Sequence, residues 1–341
     1  MRIGVDVMGG DNAPDQILKG CVQAVPFLQP EDELYLFGDE GVIKDTLEER
    51  GLTGHRNLRI VPTTEVIGMD DPPVEAMKAK KNSSIVVMNQ MASPKLQTRL
   101  DVVISAGNTG ACVAASQYYM RRLPGVIRPG ICVTVPTFAG LVVLIDVGAN
   151  IEPKPSHLAQ YGVMGEVYAR EILEIKNPRV ALMNVGGEEQ KGTDLIREAR
   201  DLLRQFENLN FTGFVEGRGV FDGQADVVIT DGVVGNVMLK LAEGLSSGIF
   251  KALANEVLAT DPELAMRLEP VVKSIYAKHD YHEYGGAPLL GVNGVSLISH
   301  GSSKDRTIKN AILRGRAFAA ARLNEKIVER IATVKMEQVE A

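Results

Sequence analysis

Short β-branched runs alternate with amphipathic stretches along most of this 341-residue chain. Apolar runs at 2–7, 33–38, 57–62, 101–106, 179–185, 210–215 and 226–230 have the length and composition of buried strands. Between them, 14–26, 41–50, 74–91, 109–122, 156–172 and 193–206 carry helical spacing. The alternation predicts an α/β fold, a doubly wound and mainly parallel sheet with helices on both faces. Runs at 131–135 and 141–147 leave no room for a crossover helix, so they predict a local antiparallel hairpin. The pattern changes after 232. Residues 234–258 and 263–280 read as two long helices broken at Thr260-Asp261-Pro262, a helical hairpin inserted at about 234–280 and projecting from the sheet. Gly285-Gly286-Ala287-Pro288 follows, then a last strand near 293–299 and a helix over 303–332. The expected organisation is one α/β domain over 1–332 and a polar tail at 333–341.

Composition narrows the class. A 45% hydrophobic content suffices for a large core, and a net charge of -6 argues against a general nucleic-acid binder. Any acidic partner must therefore meet a local basic patch. No apolar run approaches the roughly 18 residues that span a bilayer. Cys21, Cys112 and Cys132 form no CxxC pair, and an odd count fits a reducing compartment. The opening Met1-Arg2-Ile3-Gly4-Val5-Asp6 meets an acid too soon for a signal peptide, so a cytoplasmic protein is expected.

Three strands run straight into glycine- and serine-bearing loops that open helices: Val5 to Pro14, Ile104 to Gly110 and Ile298 to Ser303. A helix start leaves N–H groups unpaired and carries partial positive charge, so converging starts make an anion site. The candidates for holding phosphate are Gly9, Gly10, Asp11, Ser105, Gly107, Asn108, Thr109, Gly110, His300, Gly301, Ser302 and Ser303. Each loop taken alone is equally an ordinary capped βα turn. Lys191, in Gly187-Glu188-Glu189-Gln190-Lys191-Gly192-Thr193-Asp194, is placed to pair with an anion at the same sheet edge. Asp231-Gly232-Val233-Val234-Gly235-Asn236 follows a strand in the same manner, and Asn236 offers an amide donor. Lys78, Lys80 and Lys81 are either a solvated helix face or added positive field for that cleft.

The common nucleotide fingerprints fail: Gly217-Arg218-Gly219 has Asp222 where the third glycine belongs, and there is no Walker A sequence. Gly244-Leu245-Ser246-Ser247-Gly248 matches GxSxG but sits in a helical pattern, not on a strand-to-helix elbow. His279 and His282, beside Asp280 and Glu283, lack a third metal ligand and read as a solvated helix end. No metal and no cofactor are expected.

Asp6-Val7-Met8-Gly9-Gly10-Asp11-Asn12-Ala13-Pro14, Ser105-Ala106-Gly107-Asn108-Thr109-Gly110-Ala111, Asp146-Val147-Gly148-Ala149-Asn150 and Asp231-Gly232-Val233-Val234-Gly235-Asn236-Val237 together resemble the bacterial phosphate acyltransferases of the PlsX type. So do Tyr284 to Gly294 and Ser299 to Ser303, in order over roughly 1–320. The resemblance implies transfer of a long-chain fatty acyl group from acyl-carrier protein to inorganic phosphate, giving acyl phosphate for phospholipid synthesis. It also implies a fold similar to isocitrate and isopropylmalate dehydrogenases and to phosphotransacetylase. A homodimer, loose association with the inner face of the membrane, and a membrane acyltransferase downstream are further implications. Three features depart from the family pattern. Asn12 stands where His is usual, the lysine loop has an extra glycine and Thr193 for Asn, and the hairpin carries Glu256, Asp261, Glu263 and Glu269.

The chemistry needs no enzyme nucleophile, because phosphate is already an anion at neutral pH. The loop amides at 107–110 and 300–303 are expected to hold phosphate, Lys191 to neutralise charge and Asn236 to donate to the oxyanion or thioester. The substrate-binding set includes Asp231. A short-chain phosphotransacetylase acting on acyl-coenzyme A and a non-catalytic phosphate- or lipid-binding protein are the alternatives. A decarboxylating dehydrogenase would need an Asp cluster and an adenine-binding segment, and neither is found.

Overall fold

The computed structural model describes residues 1–279 and 285–334. Its strands are β1 (Arg2–Asp6), β2 (Glu33–Gly38), β3 (Leu58–Pro62), β4 (Val102–Ser105), β5 (Gly130–Thr137), β6 (Gly140–Ile145), β7 (Val180–Met183), β8 (Phe211–Val215), β9 (Val227–Ile229), β10 (Ala287–Leu290) and β11 (Val295–Ile298). They form one sheet in the order β3-β2-β1-β4-β11-β10-β5-β6-β9-β7-β8. Two parallel blocks flank a centre in which β11, β10, β5 and β6 pair antiparallel in succession. The expected α/β class, mainly parallel sheet and local hairpin are all borne out.

Alternate residues of a strand point to opposite faces, and both faces are buried here. In β6, Val143 and Ile145 join the larger core cluster, while Val142 and Leu144 join a second one across the sheet. The helix Pro155–Ile172 lies on the first face, buried on nearly every side, with Tyr161 and Tyr168 fully enclosed.

Several boundaries differ from the sequence pattern. The run at 74–91 is two helices, Pro73–Ala79 and Ser84–Met91, because the chain between them bridges Ser83 to Glu65 and Lys80 is tied to Asp71 at 2.5 Å. The run at 109–122 is a helix over Thr109–Ala115 that widens to a π turn at Ser116–Met120. There the Ser116 hydroxyl is buried 3.0 Å from both Asn89 and Ser296. The last helix breaks at Arg322, which has φ 53, into Asp305–Ala320 and Leu323–Thr333. Strand β10 was hidden by its glycine and proline punctuation, yet it joins the two halves of the sheet.

The hairpin helices run over Gly232–Thr260 and Pro262–His279. Only Gly232 and Gly235 of the first are fully buried; Met238 and Leu239 pack partly against the core, and much of the rest of that helix is exposed. The sequence GxSxG lies inside it, as its helical spacing predicts. Residues 280–284, with Asp280, His282 and Glu283 of the histidine cluster and Tyr284, lie outside the described residues, as does 335–341 of the tail.

Candidate active site

The carboxyl ends of β1, β4 and β11 bring three loops together. Asp6 closes β1 and is fully buried; its Oδ2 accepts from Ser105 Oγ at 2.7 Å, and that oxygen accepts from the Gly107 N–H at 3.0 Å. Burial drives the Asp6 carboxyl above its ordinary range, against the hydrogen bonds from Ser105, Ser84 and the loop amides. The chain at Gly9 passes so close that an added Cβ would lie 2.2 Å from Asp6 Oδ2 and 2.8 Å from the Gly107 nitrogen. Only glycine fits there. The third loop is held by the Asp11 N–H on the Gly301 carbonyl at 2.8 Å and by the Asn12 amide on the Ser302 and Ser303 carbonyls. Asn12 is thus a latch between loops.

Asn108 spends its side chain on scaffolding. Its Oδ1 caps the helix at Ala111 N–H, and its amide donates to the carbonyls of Gly68, Met69 and Asp71. The amides of Thr109 and Gly110 are then the first helical N–H groups beyond the cap. On the third loop, His300 Nδ1 accepts from the Ser302 N–H at 3.2 Å and lies 2.7 Å from Ser302 Oγ. That pattern assigns the ring proton to Nε2. The hydroxyls of Ser299 and Ser303 are buried and find no hydrogen-bond partner among the described residues.

A matching loop follows β6 on the other side. Asp146, fully buried, accepts from the backbone N–H groups of Ile131, Gly148, Ala149 and Asn150. Burial raises its carboxyl too, against those four bonds. The start of the hairpin docks on this loop, with Gly232 N–H on the Asn150 carbonyl at 2.9 Å. An added Cβ at Gly235 would fall 2.1 Å from the Asp146 carbonyl oxygen, so the helix can only approach this closely through glycine. Asp231 caps that helix, accepting from Val233 and Val234 N–H at 2.9 Å.

Between the two walls lies a cavity of about 380 Å³. Asp11, Thr109, Ser299, His300 and Gly301 line one side, Asn236, Lys240 and Glu243 the other, with Ile131, Val133 and Gly148 among the rest. The structure therefore brings together Asp11, Thr109, His300, Gly301 and Asn236 of the residues singled out in the sequence. Gly9, Gly10, Ser105, Gly107, Asn108 and Asp231 shape or brace the loops behind them. Gly110, Ser302 and Ser303 sit in the lining loops without reaching the cavity wall. Lys191 is elsewhere: it does not line the cavity, is half exposed, and pairs with Glu188 at 2.7 Å. Lys80 is held by Asp71, and Lys78 faces a different groove.

Lys240 and Glu243 were not singled out from the sequence. They follow Asn236 by four and seven residues on one helix, a spacing that places all three on one face. A second cavity of about 300 Å³ adjoins the first, sharing Leu239 and Glu243. Its walls include Val135, Phe138, Phe221, Ile249 and Phe250 and are mainly apolar. The three cysteines are buried and free, and burial pushes the Cys21 and Cys112 thiols up to about 12. None of them lines either cavity, and thiols so shifted are poor nucleophiles. Among the described residues, no group of three His, Cys, Asp or Glu side chains could hold a metal ion.

Residues 1–326 match the family described as fatty acid synthesis protein. The chain is 45% identical over 315 residues to the phosphate acyltransferase of Desulfitobacterium hafniense (strain DSM 10664 / DCB-2), covering 92% of each. It is 41% identical to that of Alkaliphilus oremlandii (strain OhILAs), covering 100% of both. Among solved structures it is similar to a phosphotransacetylase from Streptococcus pyogenes, with a TM-score of 0.59 and 17% identity over 95% of this chain and 94% of that one. A branched-chain phosphotransacylase from Enterococcus faecalis V583 gives a TM-score of 0.55 and 13% identity over 96% and 99%. At such identities the structural likeness speaks for the fold alone.

Proposed function

The chain belongs to the phosphate acyltransferase family, and from that premise we propose that it moves a long-chain acyl group from acyl-carrier protein to inorganic phosphate. The single observation that carries the reading is the junction of a polar cavity with an apolar one at Leu239 and Glu243. Phosphate occupies the polar side, against the first-turn amide of Thr109, the unpartnered Ser299 hydroxyl and His300 Nε2–H. The acyl chain lies along the apolar side, beneath the hairpin. A two-carbon acyl group would leave that side empty, which favours this reading over a short-chain transacetylase on coenzyme A.

A phosphate oxygen attacks the thioester carbonyl carbon, and the carbonyl electrons move to oxygen. Asn236, on the facing wall, donates to that oxyanion, an interaction typically worth about 3–4 kcal/mol. Collapse breaks the carbon–sulfur bond and releases the carrier thiolate, which takes a proton from solvent. No residue is acylated, in keeping with the buried thiols. Lys240 sits on the wall beside this charge, and Lys191 supplies more once it exchanges Glu188 for the phosphate. The acyl phosphate then passes to a membrane acyltransferase for phospholipid synthesis, from an enzyme that is cytoplasmic and associates loosely with the inner membrane face.

The test is direct. Purified protein given palmitoyl-carrier protein and phosphate should form a hydroxylamine-trappable acyl phosphate. Palmitoyl-coenzyme A should be a poorer donor and acetyl donors the poorest. A preference for acetyl-coenzyme A would sink the reading.

A further inference from the structure

A groove larger than either cavity lies apart from the candidate chemistry. It has a volume of about 1380 Å³, above the roughly 300–1,000 Å³ of a small-ligand pocket. It runs between the helices Pro73–Ala79, Thr109–Met120 and Pro155–Ile172 and the end of Leu323–Thr333. Lys78, Arg121, Arg122, Arg128 and Lys154 line it, and no carboxylate does. All five are exposed, and none makes an ion pair with a described carboxylate. Elsewhere the pattern is different: Lys19, Lys44, Arg170, Arg179 and Lys191 each sit on an acid. Five unneutralised cations on a chain of net charge -6 concentrate the positive field in one place.

The backbone holds this cluster firmly. Arg121 has φ 69 and ψ 168, a region normally left to glycine, and its carbonyl accepts from the Asn293 N–H at 2.9 Å. The Arg122 guanidinium donates to the Ile127 carbonyl, and Arg121 stacks over the Tyr118 ring at 5.7 Å. His157 on the wall is kept neutral by burial and by Arg128, Lys154 and Arg122, consistent with a strongly positive setting. The groove also has a fixed relation to the cavity. Thr109 on the cavity wall and Gln117 on the groove wall lie eight residues apart along one helical run, roughly 12 Å.

We propose that this groove is the docking surface for the acidic face of the acyl-carrier protein, which delivers its thioester arm along the helix Thr109–Met120 to the cavity. The proposal rests on the carrier-protein reading of the function. An extended groove with five cations suits a folded acidic partner, which meets them all at once, whereas a second copy of this groove would repel it.

Arg121→Glu, Arg128→Glu and the surface variant Lys78→Glu would be compared with wild type using palmitoyl-carrier protein and palmitoyl-pantetheine as donors. The expected result is a rise of about tenfold or more in KM for the carrier, a flatter salt dependence and an unchanged kcat. KM for palmitoyl-pantetheine and for phosphate should stay as in wild type. Unchanged carrier KM in all three variants, or equal loss with both donors, would overturn the proposal. So would a change of oligomeric state on gel filtration, which would assign the groove to contact between copies. Wild-type protein that ignores the acylated carrier while using palmitoyl-pantetheine would instead sink the carrier reading itself.

Discussion

Asn236 and Lys191 are the two side chains on which the proposed chemistry turns, and their settings differ. Asn236 faces the cavity from a helix whose start is fixed by Asp231, Gly232 and Gly235. Asn236→Ala should cut kcat about 100-fold or more with little change in stability, as for a lost oxyanion donor. Lys191 must leave Glu188 to act, so Lys191→Ala should cost a similar factor, and Glu188→Gln should leave turnover intact or raise it. If Lys240→Ala alone gives the large loss and Lys191→Ala none, the cavity-lining lysine is the catalytic cation. A second prediction concerns Gly9. A methyl there would meet Asp6 Oδ2 at 2.2 Å, with the buried carboxylate network behind it unable to yield. Gly9→Ala should destabilise the fold by about 1–3 kcal/mol and raise KM for phosphate more than KM for the acyl donor. Equal changes in both constants would show general damage rather than displacement of the phosphate loops.

Capping and loop chemistry explain what could be read in advance at the level of elements. Strand runs, the antiparallel hairpin at 130–145 and the long helices were legible because burial on both faces and helical spacing leave strong patterns. Strand β10 was not, since the glycines before it serve close approach to Ser299 and Ala311 rather than a loop. Glycine and asparagine look alike in sequence whether they brace a loop or touch a ligand. Asn108 and Asp231 proved to be helix caps, while Asn236 reached the cavity. Lys240 and Glu243 carried a usable signal in their spacing from Asn236. The helix Pro155–Ile172 supports a prediction of its own. Its third residue, His157, accepts at Nδ1 from the Lys154 N–H at 3.0 Å. Burial first, then Arg128, Lys154 and Arg122, lower its pKa from 6.5 to about 4. The unfolded chain therefore binds a proton in that interval that the fold does not. Stability should fall as pH drops from 6.5 toward 4, on the order of 3 kcal/mol for this group. His157→Gln keeps an acceptor for the cap and should flatten that part of the urea-midpoint profile. An identical pH profile in the variant would remove His157 as its source.

At the scale of the whole molecule, the hairpin carries a row of exposed apolar side chains. Val237, Leu241, Leu245, Ile249 and Leu253 recur every four residues along its first helix, and each is about half exposed or more. On the second helix, Leu264, Met266 and Val271 are also exposed. Such a seam exceeds what a solvated helical pair presents, so we assign it to a second copy of the chain and its tip to transient contact with lipid. No helix of the described residues is long and apolar enough to cross a membrane. Charge gives lipid contact little help: Lys273 is held by Glu269 at 2.5 Å, and Lys251 and Arg267 share the hairpin with Glu256, Asp261 and Glu263. Apolar insertion must then dominate over attraction to anionic headgroups. Replacing Leu258 and Leu264, beside the turn at Asp261, by Asp should lower vesicle binding several-fold while acyl transfer in solution stays near wild type. Leu241→Asp with Leu245→Asp should instead weaken the dimer on analytical centrifugation. Wild-type binding that rises steeply with anionic lipid and vanishes at moderate salt would contradict the apolar mechanism, and a wild-type monomer would remove the second copy from the seam.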